Sequence, residues 1–396
     1  MRRLFDPGVL FLWPVLALLL LTGCGGSPDS AAAPPSNPEL QVVVFATEAP
    51  AATPTTRPTA PPEPPTATPP PPTSVPQIEA EPTPTPTPER PENENPLTGL
   101  TVSDPSVLQR RPLHIRLGND AGARPQVNLS LADLVYEELV EWWTTRLTAV
   151  YLAEAPEIVA PVRSSRLINT QLTIQYDAAL INSGGSDPVR WQLSQLPIVN
   201  LDEYFHPKPY FYRDNEGWQR RLAVNAAEAH RYLEAQEMEA AVPLRGFVFD
   251  ATPANGVPAE SIYIDYPARD NKVLWLFDSD TGRYRRFNGG EPMIDFATGE
   301  QISVANVIVY YAPHYETDIV EDSTGATSVG IEINGEGRAQ IFRDRTVIEG
   351  RWRTDGSQTP EFIDAEGRPI PLKPGNSWIQ VVPLEYEILI NEVPAD

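Results

Sequence analysis

The sequence predicts an α+β protein: a mixed α/β domain over residues 96–245 followed by a mostly antiparallel β domain over residues 246–396. Three observations carry that reading. The first part interleaves strand-like apolar runs with helical patterns. The second part is a series of short strand-like runs separated by Gly-containing turn signals, which is hairpin chemistry. Ahead of both lies a Pro-rich stretch that has no means of building a core.

Taken in order, Pro112–Leu117, Leu134–Leu139 and Arg146–Leu152 read as strands, the last two as a hairpin through Trp142–Thr145. Ser164–Gln175 reads as a helix with a Ser cap. Ala178–Asn182 reads as a short buried strand ending in Gly184-Gly185-Ser186. Asp187-Pro188 then opens a helix, with Asp as N-cap and Pro at the first helical position. Ala226–Met238 is the clearest helix, rich in Ala, Glu and Leu and free of Gly and Pro. Beyond Phe247, strands are expected at Ile262–Tyr266, Val273–Phe277, Tyr284–Phe287, Val307–Tyr311, Val329–Ile333, Ala339–Arg343, Val347–Arg353 and Ile379–Val382. The intervening turns include Asp280-Thr281-Gly282, Asn288-Gly289-Gly290, Asn334-Gly335 and Glu366-Gly367.

The N-terminus carries a targeting signal. Arg2 and Arg3 precede an apolar run from Val9 to Leu21, which ends in Leu21-Thr22-Gly23-Cys24. A charged start, a short apolar stretch and small residues before a cleavage point make a secretory signal over residues 1–23. The Leu-Thr-Gly-Cys ending is similar to a bacterial lipobox, in which the Cys is acylated. Cys24 is the only cysteine, so the chain can form no internal disulfide. The expectation is an extracytoplasmic protein anchored to the membrane by lipid on Cys24. Residues 24–95 would then be a disordered spacer, because residues 25–95 hold 21 of the 45 prolines and cannot bury enough apolar surface to offset ordering. At about 3.1 Å per residue such a spacer reaches on the order of 200 Å.

The formal charge of −23 excludes non-specific nucleic-acid binding, which needs a basic footprint. Four histidines, His114, His206, His230 and His314, show no metal-ligand spacing. Asp278-Ser279-Asp280-Thr281-Gly282 begins like a calcium loop but lacks its later ligands, and reads as a hairpin turn. Nothing calls for a metal or a cofactor. Ser183-Gly184-Gly185-Ser186 is not a hydrolase nucleophile elbow.

Several short motifs resemble one family. They are Asn95-Pro96-Leu97-Thr98-Gly99-Leu100, Ala123-Arg124-Pro125-Gln126, Ala132-Asp133-Leu134-Val135-Tyr136-Glu137, Pro161-Val162-Arg163-Ser164-Ser165-Arg166 and Ser183-Gly184-Gly185-Ser186, then Ile348-Glu349-Gly350-Arg351-Trp352 and Pro374-Gly375-Asn376-Ser377-Trp378-Ile379. Their order is similar to that of the YerB-like bacterial lipoproteins, over essentially all of residues 95–385. The resemblance implies a two-domain lipoprotein and no established activity. The family pattern often has His where this chain has Asn182, Val224 and Met293, and that departure weighs against an enzyme.

The candidate site is an anion or carbohydrate-carboxylate site. Arg163, Ser164, Ser165 and Arg166 would sit at a helix start, where free N–H groups and the dipole favour negative ligands. Gly184, Gly185 and Ser186 would lie between a strand and a helix, with Arg124 and Arg146 joining from turn or strand ends. The competing view is that Arg163 and Arg166 pair internally with Asp133 or Glu137. Trp142-Trp143, Trp191 and Tyr210-Phe211-Tyr212 form either core or a sugar-stacking platform. The leading expectation is a non-enzymatic module for cell-wall glycan or an envelope protein partner. The alternatives are a wall hydrolase or transferase using Asp133, Glu137 or Asp214, and a protein-interaction scaffold that pairs through exposed strand edges.

Overall fold

The structure is a computed structural model that describes residues 90–268 and 271–394. The signal segment, Cys24 and the Pro/Thr-rich stretch lie outside the described residues. An eleven-stranded mixed sheet organises the molecule. Its strands, in chain order, are β1 (Leu113–Gly118), β2 (Leu134–Leu139), β3 (Thr145–Tyr151), β4 (Ala179–Asn182), β5 (Val199–Asp202), β6 (Val257–Pro258), β7 (Asn306–Tyr311), β8 (Gly335–Arg343), β9 (Thr346–Thr354), β10 (Glu361–Ile363) and β11 (Ser377–Val382). Across the sheet they run β10-β9-β8-β7-β11-β2-β3-β1-β4-β5, with β6 on β9. Among the described residues the helices are α1 (Asn169–Gln175), α2 (Asp187–Ser194) and α3 (Ala226–Ala235). The protein is thus mostly sheet with a few helices.

The expected boundary near residue 245 does not divide this sheet. β11, from the C-terminal part, lies between β7 and β2 and runs parallel to both. Leu134 stands opposite Ser377 and Glu138 opposite Val381. The change in sequence texture marks where hairpins take over, not where the core ends. A six-stranded sheet built on the strands Ser261–Ile264, Val273–Asp278, Arg283–Asn288 and Ile388–Ile390 adds to the C-terminal part.

Both faces of the central sheet are covered. One core holds Ile115, Val135, Ala149, Val307 and Trp378 with Trp275 from the second sheet and Leu233 from α3. The other holds Leu134, Tyr136, Val150, Ile308 and Ile379 with Leu172 and Tyr176. Two-sided burial explains why residues 307–311 in β7 and 179–181 in β4 read as continuous apolar runs instead of alternating ones.

Several elements differ from expectation. The segment expected as a helix from Ser164 becomes helical only at Asn169. Before that, residues 163–165 pair with the end of β4, the Ser183 N–H donating to the Arg163 carbonyl and the Ser165 N–H to the Gly184 carbonyl, and a turn at residues 167–168 leads into the helix. Ser186, not Asp187, caps α2, which places Pro188 at its second position. α3 begins on an Asn225 side-chain cap. It stops early because Glu237 turns left-handed (φ 57°) and the Met238 N–H folds back onto the Leu233 carbonyl. The strand His314–Val320 was missed. It forms a two-stranded ribbon with Thr327–Ile331, and a ribbon with little buried face leaves no apolar period to read.

Candidate functional site

β4, α2 and β5 form a strand–helix–parallel-strand unit. Ligands gather at the carboxyl ends of such strands. A cavity of about 590 Å³ opens there. Ser183–Ser186 leave β4 along one wall, and Asp202, Glu203 and Tyr204 leave β5 along another. Tyr210, Phe211 and Tyr212 line it as well, and so do Ser164, Arg166 and Glu321.

The glycine pair works differently from expectation. Gly184 adopts φ 72°, the left-handed conformation that glycine allows. A Cβ on Gly185 would meet the Ser165 Oγ at 2.9 Å. The close approach therefore serves the protein's own serine loop, where Ser165 donates to the Gly184 carbonyl at 2.8 Å.

Of the expected residues, the cavity gathers Ser164, Arg166, Gly184, Gly185 and Ser186. Ser165 is buried behind them. Arg163 turns away: it donates to the Gln219 carbonyl and lies over the Trp218 ring at 5.5 Å. Arg146 is held inside, donating to the Ser164 carbonyl at 3.3 Å, and burial followed by the Arg166 charge pushes its guanidinium below the usual arginine range. Arg124 lines a different cavity of about 400 Å³, beside Asn288 and Glu291.

Arg166 makes a two-pronged ion pair with Glu141 and a further one with buried Glu321 at 3.5 Å. Internal pairing is thus the right description of Arg166, but the acids are Glu141 and Glu321, not Asp133 or Glu137. Burial would raise the Glu141 carboxyl, yet the Arg166 bond and the Arg146 charge hold it down to about 2.

Sequence reasoning missed Arg190, Asp202, Glu203, Tyr204 and Glu321. Arg190 pairs with Asp202 at 3.1 Å and lies against the Tyr204 and Phe205 rings at 5.6 and 5.1 Å. Glu203 accepts from Ser183 and Tyr212, both at 2.7 Å. The run Asp202-Glu203-Tyr204-Phe205 just after a strand was the available signal. The lining thus holds two arginines against three acids, with the arginines already paired. That balance offers an anion no uncompensated positive charge. What remains without a hydrogen-bond partner is the buried Ser186 Oγ, a neutral hydroxyl, and Nη2 of the Arg190 cation, whose charge Asp202 balances, beside rings as exposed as Tyr204 (80%) and Tyr212 (57%). The aromatic groups expected as one platform are split. Tyr210–Tyr212 belong to this cavity, Trp142 and Trp143 to another, and Trp191 is exposed on α2.

The expected catalytic carboxylates lie elsewhere. Asp133 takes hydrogen bonds from Asn95 and the Leu152 N–H, both at 2.6 Å, which pins chain segments together. Glu137 is fully buried against Arg286 at 2.8 Å. Asp214 is exposed in the loop between Tyr210–Tyr212 and Leu222–Val224. Among the described residues no group of three or more His, Cys, Asp or Glu is placed to hold a metal ion.

The buried acids make a pH prediction. Burial pushes Asp133 up to about 6 and Glu138 up to about 7, against the pull of their partners. The native state therefore binds more protons than the unfolded chain between about pH 4 and 7, and stability falls as pH rises through that window. Glu141 acts in the opposite sense, losing its contribution as pH falls from its usual range toward 2. The urea midpoint is expected to be higher at pH 5 than at pH 8, and Glu138→Gln should flatten the difference. An unchanged midpoint between the two would refute this.

Residues 97–247 match the model described as Protein of unknown function (DUF3048) N-terminal domain, and residues 262–379 match its C-terminal domain. The chain belongs to this two-domain family. It is 30% identical over 297 residues to the Bacillus subtilis (strain 168) chain named "Putative lipoprotein YerB", covering 73% of this chain and 86% of that one. The crystal structure of the YerB protein from Bacillus subtilis superposes with a TM-score of 0.64 at 25% identity, covering 75% of this chain and 99% of that one. The YerB-like resemblance read from the motifs is therefore correct. Within this family the cavity at the ends of β4 and β5 falls wholly inside the segment matched by the N-terminal model, apart from Glu321.

Proposed function

We propose that this chain is a membrane-tethered lipoprotein, held by lipid on Cys24, whose folded part binds cell-wall glycan in the cavity at the ends of β4 and β5. The lipobox-like Leu21-Thr22-Gly23-Cys24 and the relative's name support the tether. Among the described residues no helix is long and apolar enough to cross a membrane.

The observation that carries the binding reading is the pairing of exposed rings with unpartnered polar atoms in one cavity. Tyr204, Phe211 and Tyr212 offer faces for the C–H side of a sugar ring, and Ser186 and Arg190 offer hydrogen-bonding atoms. An internally neutralised, slightly acidic lining suits a neutral polyhydroxylated ligand better than an anion. Sedimentation with isolated wall sacculi tests this, using the full-length chain in detergent. The parent is expected to co-sediment at physiological salt. Tyr204→Ala/Tyr212→Ala, which removes two exposed rings, should weaken binding by at least about tenfold, as loss of central aromatic anchors does. No sedimentation of the parent would remove the reading.

A further inference from the structure

A second cavity, of about 410 Å³, is lined by Thr324, Gly325 and Ala326 in the turn between His314–Val320 and Thr327–Ile331, the same turn whose Glu321 lines the first. The two share a wall: Glu141 lines the second, and its partner Arg166 lines the first. Trp142 and Trp143 stand at its edge.

These tryptophans are held at a cost. Both adopt left-handed backbone, φ 64° and 56°, which for bulky residues is strained. Both are also exposed, at 61% and 53%, so burial does not compensate. Trp142 is fixed by its indole N–H, which donates to Asp322 at 2.9 Å. Strain of this kind, imposed on exposed rings, concentrates at binding sites.

Two residues that line the cavity also carry buried polar atoms without a hydrogen-bond partner. Ser328 is 1% exposed, and its Oγ has no hydrogen-bond partner. A buried hydroxyl without a partner destabilises the fold unless something else fills the role. His314 lines the cavity too. Its Nδ1 faces the Ala312 carbonyl at 2.9 Å; a carbonyl only accepts, so Nδ1 carries the proton. Burial disfavours the charged ring, so the unpartnered Nε2 presents a lone pair. A ligand here must donate an N–H or O–H to His314, exchange a hydrogen bond with Ser328, and lay an apolar face on tryptophan.

We infer that this second cavity binds an N-acetylated sugar ring, with Trp142 and Trp143 stacking on the ring, and Ser328 and His314 Nε2 bonding its amide and hydroxyl groups. The ligand class rests on the wall-glycan reading above; the site rests on its own residues. An N-acetylated sugar meets each demand: an amide N–H for an acceptor, a methyl for an apolar wall, and a C–H face for an indole.

Calorimetric titration of the full-length chain with triacetylchitotriose, and with cellotriose in which hydroxyls replace the acetamido groups, tests it. Triacetylchitotriose is expected to bind at least about tenfold tighter than cellotriose. Ser328→Ala should weaken binding by roughly 3- to 10-fold, the worth of one hydrogen bond. It should also raise the urea midpoint of the free protein, because it deletes an unpartnered buried hydroxyl; a merely structural serine would lower it. Trp143→Ala should weaken binding by at least about tenfold, and Trp191→Ala, which removes an exposed ring on α2 that lines neither cavity, should leave it within about twofold. No binding of triacetylchitotriose, or binding lost in the tyrosine variant but not in Ser328→Ala, overturns the site. Sacculus binding without triacetylchitotriose binding would overturn this inference and spare the first cavity. Triacetylchitotriose binding sensitive to Ser328→Ala, with sacculus binding indifferent to the tyrosine variant, would do the reverse.

Discussion

Arg286→Ala is expected to lower folding stability by about 3–5 kcal/mol, the cost of stranding a buried charge. Arg286 and Glu137 are both fully buried, and the guanidinium contacts the carboxylate at 2.8 Å. It also lies against both Trp275 at 4.9 Å and Trp378 at 4.7 Å, two rings that touch each other edge to face. Glu137 gathers donors from both halves of the chain: Thr145 at 2.7 Å, Trp378 at 2.9 Å and Gln380 at 3.1 Å. Removing Arg286 leaves a carboxylate without its counter-ion under two tryptophans, and a void where the guanidinium was. Urea unfolding followed by circular dichroism measures the loss. Because this pair joins the second sheet to the central one, unfolding should remain a single transition at a lower midpoint. A loss below about 1 kcal/mol would show that the carboxylate finds relief by taking up a proton.

Arg166→Ala should lower stability by a similar amount, about 3–5 kcal/mol, and should abolish sacculus binding as well. Arg166 is the counter-ion of Glu141 and Glu321, and both acids are almost wholly buried. Its loss removes the ion pair of buried Glu321 and leaves Glu141 with only the longer Arg146 contact at 3.4 Å. Arg166→Lys should rescue little, because an ammonium cannot reproduce the two-pronged guanidinium contact. The same urea experiment at pH 5 should show a smaller loss than at pH 8, since protonation relieves the stranded acids. Stability within about 1 kcal/mol of the parent at pH 8 would sink the wall description. Loss of binding in this variant does not by itself locate a ligand. For that reason the exposed tyrosines, not the arginines, carry the binding test.

The sequence already contained much of the strand pattern. β2 runs over the residues expected, Leu134–Leu139, and the hairpin through Trp142–Thr145 is present. Long apolar runs and Gly-marked turns are local signals, and local energetics set them. The start of α1 was misplaced because Ser164 has the chemistry of a cap, whereas tertiary pairing with Ser183 and Gly184 holds it out of the helix. β5 was missed because its alternating run, Val199-Asn200-Leu201-Asp202, is only four residues long. Only the parallel pairing with β4 makes it a strand.

The candidate site was half legible for the same reason. The serine and glycine motifs of residues 164–166 and 184–186 marked loops that reach the first cavity, since strand–loop–helix junctions can be read locally. Which arginine faces the cavity could not be read. Arg163 and Arg166 are three residues apart, and their directions are set by Trp218 on one side and Glu141 on the other. What the sequence determined by itself is its family, its β-rich elements and a lipobox-like N-terminus, because these are written in contiguous residues. The tertiary structure alone decided three things. One sheet runs through both halves, Glu141 and Glu321 neutralise Arg166, and the aromatic residues divide between two cavities. Each depends on residues far apart in the chain meeting in a buried place, where pairing and desolvation, not local propensity, decide the outcome.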